Sequence, residues 1–387
     1  MYTVRRAART KDTLLGGRLQ PVPTIFDKQD SLPRQVRLGL LLLLMYAFFL
    51  SITLMGDSFQ FFGRGFAEQL LSTTSNPFIG IFIGILATSL VQSSSTTTSM
   101  TVGLVAGGAL TVAGAIPIII GANIGTSVTN TLVSLGHVSR PAEFRRAFAA
   151  ATVHDFFNVL AVVILFPLQL STNFLGRLST FLESWLRNSG GFTLVNPIKL
   201  MVDPVAALIA RTTGESGTIM LLISIALLFI ALRYIIINLK ILVVERVEAF
   251  FDTILFKTAP RAFLFGVVLT IMVQSSSITT SLAVPLAGAG LLTLRQIFPM
   301  TLGANLGTTI TAMLAALVTG NSAAVTVAFA HILFNVFGIA IIWPLRQFPI
   351  YCANTMADLA TRSRLVPFVY VITLFFLIPL TLIYLMG

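Results

Sequence analysis

Gln92-Ser93-Ser94-Ser95-Thr96-Thr97-Thr98-Ser99 sets eight amide or hydroxyl side chains in an unbroken row inside the otherwise apolar stretch 78–105. Successive side chains on a helix turn through about 100°, so no single face can hold all eight. In a hydrocarbon environment such a run must be enclosed by protein or water on every side. Residues 274–281 read Gln-Ser-Ser-Ser-Ile-Thr-Thr-Ser, the same run interrupted once, 182 residues further on. The same offset relates Gly121-Ala122-Asn123-Ile124-Gly125-Thr126 to Gly303-Ala304-Asn305-Leu306-Gly307-Thr308. At an offset of 177, His154, Phe157, Asn158 and Pro167 answer His331, Phe334, Asn335 and Pro344. Three ordered matches point to an internal duplication.

The surroundings of these runs set the solvent. Of 387 residues, 56% are hydrophobic and 10% charged, and the mean hydropathy is +0.91. That excludes an ordinary soluble enzyme, whose charged fraction is about 25%. The net charge of +11 is read as basic loops on the cytoplasmic side, not as a nucleic-acid surface. The single cysteine, Cys352, permits no internal disulfide.

Apolar stretches fall at 38–55, 78–105, 110–134, 147–170, 218–239, 262–288, 297–319, 323–345 and 366–386. The motif-bearing ones could each be a span or a re-entrant hairpin. The expected fold is an all-α polytopic membrane protein. It would comprise two inverted-topology repeats with discontinuous helices and re-entrant hairpins, since transporter repeats are commonly inverted about a midplane site. The expected organisation is a basic cytoplasmic segment at 1–37, a first repeat at 38–170 and an extracellular or periplasmic loop at 171–217. A second repeat at 218–346 and a connecting segment with a C-terminal span at 347–387 complete it. No apolar core precedes residue 38, so a cleaved signal peptide is not expected. Residues 57–76 read as interfacial and 240–261 as an amphipathic cytoplasmic connection; Arg295 is placed in a turn.

Hydroxyl and amide oxygens suit a hard monovalent cation such as Na+. Hydroxyl and amide hydrogens, with free backbone N–H groups at broken helix ends, suit an oxyanion. A serine-rich site can serve both. A multiply charged anion held by uncharged donors needs its charge neutralised, and co-bound Na+ would do so. Against this stands the plain reading that Ser, Thr and Gly merely let membrane helices pack. Duplication of the whole constellation weighs against packing alone. Asp155 lies within an apolar stretch, where a carboxylate is a functional residue by default; pairing with Arg145 or Arg146 is the structural alternative. Its counterpart in the second half is Ile332, so its role is asymmetric. His154 and His331 read as helix-packing hydrogen bonders.

The paired Gln-Ser-Ser-Ser and Gly-Ala-Asn-x-Gly-Thr runs, with Phe144-Arg145-Arg146-Ala147-Phe148 leading to His154-Asp155, resemble the type II sodium-dependent phosphate cotransporter family. The resemblance covers about 38–386 and implies a symporter coupling Na+ entry to phosphate uptake by alternating access, with Na+ as coupling ion and no cofactor. It implies a phosphate site at Gln92, Ser93, Ser94, Ser95, Gln274, Ser275, Ser276 and Ser277, joined by Asn123 and Asn305. It implies Na+ ligands among Gln92, Ser95, Thr126, Asp155, Gln274, Ser276, Thr308 and Thr311. Asp155 matches the carboxylate of electrogenic members, which implies three Na+ per divalent phosphate. The animal members carry a large disulfide-linked outer loop; the short, cysteine-free segment here resembles bacterial relatives.

The expected location is a cell membrane, inner or plasma, with the N-terminus cytoplasmic. The oligomeric state is left open, a homodimer included. Two other readings stand beside this one. The same machinery could carry another oxyanion or use H+. An intramembrane serine hydrolase using His154 or His331 is disfavoured because no Gly-x-Ser-x-Gly elbow occurs.

Overall fold

The computed structural model describes residues 33–61, 74–189, 196–247, 256 and 258–386. The chain divides into two compact units, 1–39 and 40–387. Of the first, the described part is only the opening of the helix Arg34–Phe61. The basic segment before residue 33 and most of 57–76 lie outside the described residues.

No strand occurs among the described residues. Seven of their helices are long and apolar enough to cross a membrane: Gln35–Phe59, Val112–Leu135, Pro141–Thr172, Gly217–Leu239, Leu294–Thr319, Ser322–Ile342 and Leu365–Met386. These answer seven of the nine apolar stretches. The other two, 78–105 and 262–288, are each split. The first becomes α1 (Pro77–Val91) and α2 (Ser94–Ala106). The second becomes α3 (Ala259–Val273) and α4 (Ser276–Gly288). At 1.5 Å per residue a 15-residue helix reaches about 22 Å, short of the roughly 30 Å hydrocarbon layer. The boundaries of the two pairs coincide at the sequence offset of 182.

The break has a local cause. Gln92 and Gln274 both adopt the left-handed region, with φ 55°. Ser93 and Ser275 follow in extended conformation, and each side chain accepts from the N–H three residues on, Thr96 and Ile278. An N-cap serine satisfies one of the orphan donors of a new helix. Two helices therefore end at glutamine and two begin after serine.

Close glycine contacts set how the short helices pack. A Cβ at Gly84 would lie 2.0 Å from Ile118 O, and one at Gly121 2.0 Å from Ile81 O. The second half repeats this with Gly266 against Met300 O at 2.1 Å and Gly303 against Phe263 O at 2.0 Å. Backbones of α1 and Val112–Gly125 thus touch directly, as do those of α3 and Leu294–Thr319. Lipid is as apolar as leucine, so small residues rather than bulky ones draw membrane helices together.

Two sequence expectations are corrected. Residues 171–217 are not one loop: they contain the helices Phe174–Asn188 and Asn196–Thr212. The first buries Leu175, Ser179 and Glu183, one helical face, and leaves Trp185 exposed. Arg295 is not in a turn. It lies in the first turn of the helix Leu294–Thr319, which a Thr293–Gln296 capping box opens. Of 240–261, the part described as continuous helix extends Gly217–Val247 to its end.

Candidate ion and anion site

The glutamine breaks bring the two polar runs together. Ser95 Oγ lies 3.5 Å from Gln274 O, across 179 positions of sequence. Ser94, Ser95 and Ser276 are buried, Ser93, Gln274, Ser275 and Ser277 are partly buried, and Gln92 is exposed. Each run opens a helix, and the first turn of a helix carries unpaired N–H groups and the positive end of the helix dipole. The runs therefore offer backbone donors beside hydroxyls that can donate or accept.

On the second run, Gln274 Nε2 donates to Ile271 O at 2.6 Å, and Gln274 Oε1 accepts from Thr311 Oγ1 at 2.7 Å. Thr311, expected on resemblance alone, is thus in direct contact with the second glutamine. Thr308 Oγ1 donates to Ala304 O, and Thr126 Oγ1 to Ala122 O, the same bond in each half. Thr280 and Ser281 both donate to Asn130 Oδ1, at 3.0 and 3.1 Å. Asn130 belongs to the first half, so this joins α4 to Val128–Leu135.

A second buried network lies around the asparagines. His154 Nε2 meets Asn305 Oδ1 at 2.9 Å, and His331 Nε2 meets Asn123 Oδ1 at 3.3 Å. Asn305 Nδ2 donates to Asn158 Oδ1 and Asn335 Oδ1 at 2.8 and 2.9 Å. Asn158 Nδ2 donates to Asn123 O at 2.7 Å. Both ends of the Asn305 amide are therefore engaged, whereas Asn123 Nδ2 has no partner. Both histidines turn Nε2 to asparagines, not to serine hydroxyls.

Asp155 is fully buried. Neither arginine of the sequence alternative reaches it. Arg145 pairs with Asp358 through Nε, and Arg146 donates to Ala287 O and Gly288 O at the end of α4. The Asp155 partner is Tyr370, whose hydroxyl donates to Oδ2 at 2.7 Å, while Oδ1 has no hydrogen-bond partner. The hydroxyls of Ser127 and Thr131 stand beside the carboxylate. Ser127 Oγ also lies 2.9 Å from Ile124 O and Thr131 Oγ1 3.4 Å from Ser127 O, so each hydroxyl has a backbone acceptor besides the carboxylate. Sequence reading found neither Tyr370 nor these two hydroxyls. Only the Ser and Thr following the Gly-Ala-Asn-x-Gly-Thr run gave any signal for the latter.

A long-helix membrane protein with buried, acceptor-rich polar runs belongs to the class that handles small ions and polar solutes within the bilayer. The particular family follows from comparison: the chain belongs to the Na+/Pi-cotransporter family, which matches residues 47–236 and 227–345. It is 33% identical to sodium-dependent phosphate transport protein 2B of Pongo abelii and of Homo sapiens, over 89% of this chain and 64% of each relative. It is 31% identical to sodium-dependent phosphate transport protein 2A of Rattus norvegicus, over 93% of this chain and 69% of the relative. The chain thus spans less than two thirds of the length of the 2B relatives. No solved structure matches it. These relatives are transport proteins by name, not enzymes.

Proposed function

We propose that the chain is a multi-pass membrane symporter that couples Na+ entry to inorganic phosphate uptake by alternating access of two inverted repeats. One observation carries the reading. The two Gln-Ser-Ser-Ser runs, equivalent in sequence, begin two helices whose starts approach within hydrogen-bonding reach at Ser95 and Gln274. Uncharged donors converge there, and an anion held by them needs cations nearby.

Phosphate is assigned to the hydroxyls and first-turn N–H groups of 92–95 and 274–277. Asn305, with both ends of its amide engaged, acts as frame behind the runs, and Asn123, whose Nδ2 has no partner, keeps the donor role expected of it. Na+ is assigned to oxygens of Gln92, Ser95, Gln274, Ser276, Thr126, Thr308 and Thr311. A further Na+ is assigned to Asp155, whose buried Oδ1 has no hydrogen-bond partner and whose carboxylate has the oxygens of Ser127 and Thr131 beside it. A buried ionised carboxylate is unstable without a counter-charge, so this oxygen set suits a monovalent cation. Three Na+ with a divalent phosphate would carry one net positive charge inward per cycle. The segment 171–217 is assigned to the outer side, and the membrane to the cell or inner membrane with the N-terminus cytoplasmic.

The test is radiolabelled phosphate uptake into proteoliposomes under an inward gradient of Na+ or of choline. Uptake dependent on Na+ is expected, and equal uptake in choline would end the coupling claim. Competition by sulfate, arsenate and dicarboxylates distinguishes phosphate from another oxyanion.

A further inference from the structure

The C-terminal helix is built around one inward stripe. Between Leu365 and Met386, Pro367, Val371, Phe375 and Pro379 are buried, every fourth residue, while most of the remaining surface is exposed. Residues Thr373–Leu377 form a π-turn. Pro379 supplies the cause, because it has no N–H to offer Phe375 O and its ring crowds that carbonyl. Such π-turns occur mostly as single turns within α-helices, frequently at functional sites.

Tyr370 stands one turn before this irregularity and beside the stripe. Its ring makes edge contacts with Phe148 and with Phe375, each at 6.3 Å between centroids. Two aromatic walls therefore fix the ring, and the hydroxyl reaches Asp155 Oδ2 from 215 positions away. Tyr370 lies beyond residue 345, where the family match ends. The donated hydrogen bond occupies Oδ2 and leaves Oδ1 without a hydrogen-bond partner, while the hydroxyls of Ser127 and Thr131 stand beside the carboxylate.

We infer that Tyr370 is a positioning residue for the cation at Asp155: its phenol holds the carboxylate so that Oδ1 is presented to Na+, which makes the C-terminal helix part of the ion site. This rests on the reading of Asp155 as a Na+ ligand given above. A carboxylate free to rotate must be ordered again at each binding event, and a fixed one is not. A tenfold shift in the Na+ requirement corresponds to about 1.36 kcal/mol.

The experiment compares wild type, Tyr370→Phe, Asp155→Asn and the double variant as full chains in proteoliposomes. Phosphate uptake and current are recorded against Na+ concentration. Tyr370→Phe keeps the ring and its two aromatic contacts and removes only the hydroxyl. The expected result is a rise of about tenfold in the Na+ concentration for half-activation, larger than any change in phosphate KM at saturating Na+ or in maximal rate. The double variant should behave as Asp155→Asn alone. Unchanged Na+ activation in Tyr370→Phe, with charge movement lost in Asp155→Asn, would overturn the role of Tyr370 and leave Asp155 standing. Unchanged current per phosphate in Asp155→Asn would overturn the Asp155 reading and this inference with it.

Discussion

His154 Nε2 stands 2.9 Å from Asn305 Oδ1, although the two residues are 151 positions apart. His331 and Asn123 make the reciprocal pair across 208 positions, at 3.3 Å. Each bond ties a histidine of one half to the asparagine of the other half's Gly-Ala-Asn-x-Gly-Thr run. Asn305 Nδ2 is a donor to two asparagine oxygens, so Asn305 Oδ1 is the acceptor and His154 Nε2 carries the proton.

The two asparagines should differ in weight. Asn305→Ala removes the partner of His154 and one donor from each of Asn158 and Asn335. An orphaned buried polar group costs roughly 1–3 kcal/mol, so a loss of about 3 kcal/mol is expected. Asn123→Ala removes one long bond and an amide nitrogen already without a partner, and about 1 kcal/mol is expected. Thermal unfolding of the purified variants in detergent reads the difference; equal shifts would contradict the asymmetry of the network.

Thr311→Val keeps the shape of the side chain and removes the hydroxyl that donates to Gln274 Oε1 at 2.7 Å. Gln274 then loses one of the bonds that set its amide plane. The Na+ concentration for half-activation should rise several-fold, as expected from the loss of about 1 kcal/mol of hydrogen bonding, with little change in protein yield. A Na+ activation curve superimposable on wild type would remove Thr311 from the ion set.

Gly84→Ala and Gly266→Ala place a methyl 2.0 and 2.1 Å from the carbonyls of Ile118 and Met300. Overpacking of this kind costs typically 1–3 kcal/mol, and a rigid backbone neighbour puts these sites at the upper end. Gly39→Ala is the contrast. No atom lies within 4 Å of its added Cβ, within a helix interior, so about 1 kcal/mol of propensity is gained. Monodispersity after gel filtration should fall for the first two variants and not for the third.

Arg145 donates to Asp358 and holds its carboxyl below the usual carboxylate range. A lowered folded-state pKa means that the stabilisation is present at neutral pH, above the unfolded value, and is lost as pH falls through the lowered value. Both side chains are nearly half exposed, and an exposed pair contributes little. Asp358→Asn should melt close to wild type at pH 7, and the variant should lose less stability on acidification. A large shift at pH 7 would show that the pair holds the helix Gln347–Arg362 in place.

Much of the architecture was legible in covalent order. The runs had to be largely enclosed because neither could share one helix face, and most of their residues are buried or partly buried, although Gln92 is exposed. Seven spans followed from apolar length. The duplication was readable because Gln92 and Gln274, Asn123 and Asn305, and His154 and His331 recur in the same order. Discontinuous helices were expected, but the positions of the breaks at Gln92 and Gln274 were hidden, since glutamine is not a usual left-handed residue and only the serine caps hint at a new helix. The two helices within 171–217 were missed because their apolar residues form a narrow face among charges, which resembles a loop by composition.

Sequence alone determined that this chain lives in a bilayer, that it carries a duplicated polar constellation, and that Asp155 breaks the symmetry of the two halves. Those properties depend on which residues are present and on their spacing, both written in the primary structure. Tertiary structure decided which groups meet: Ser95 with Gln274, His154 with Asn305, and Asp155 with Tyr370 in place of Arg145 or Arg146. The reason is physical. A hydrogen bond acts over about 3 Å, and which residues come within that reach across more than a hundred positions is set by glycine contacts and helix breaks that local pattern does not encode.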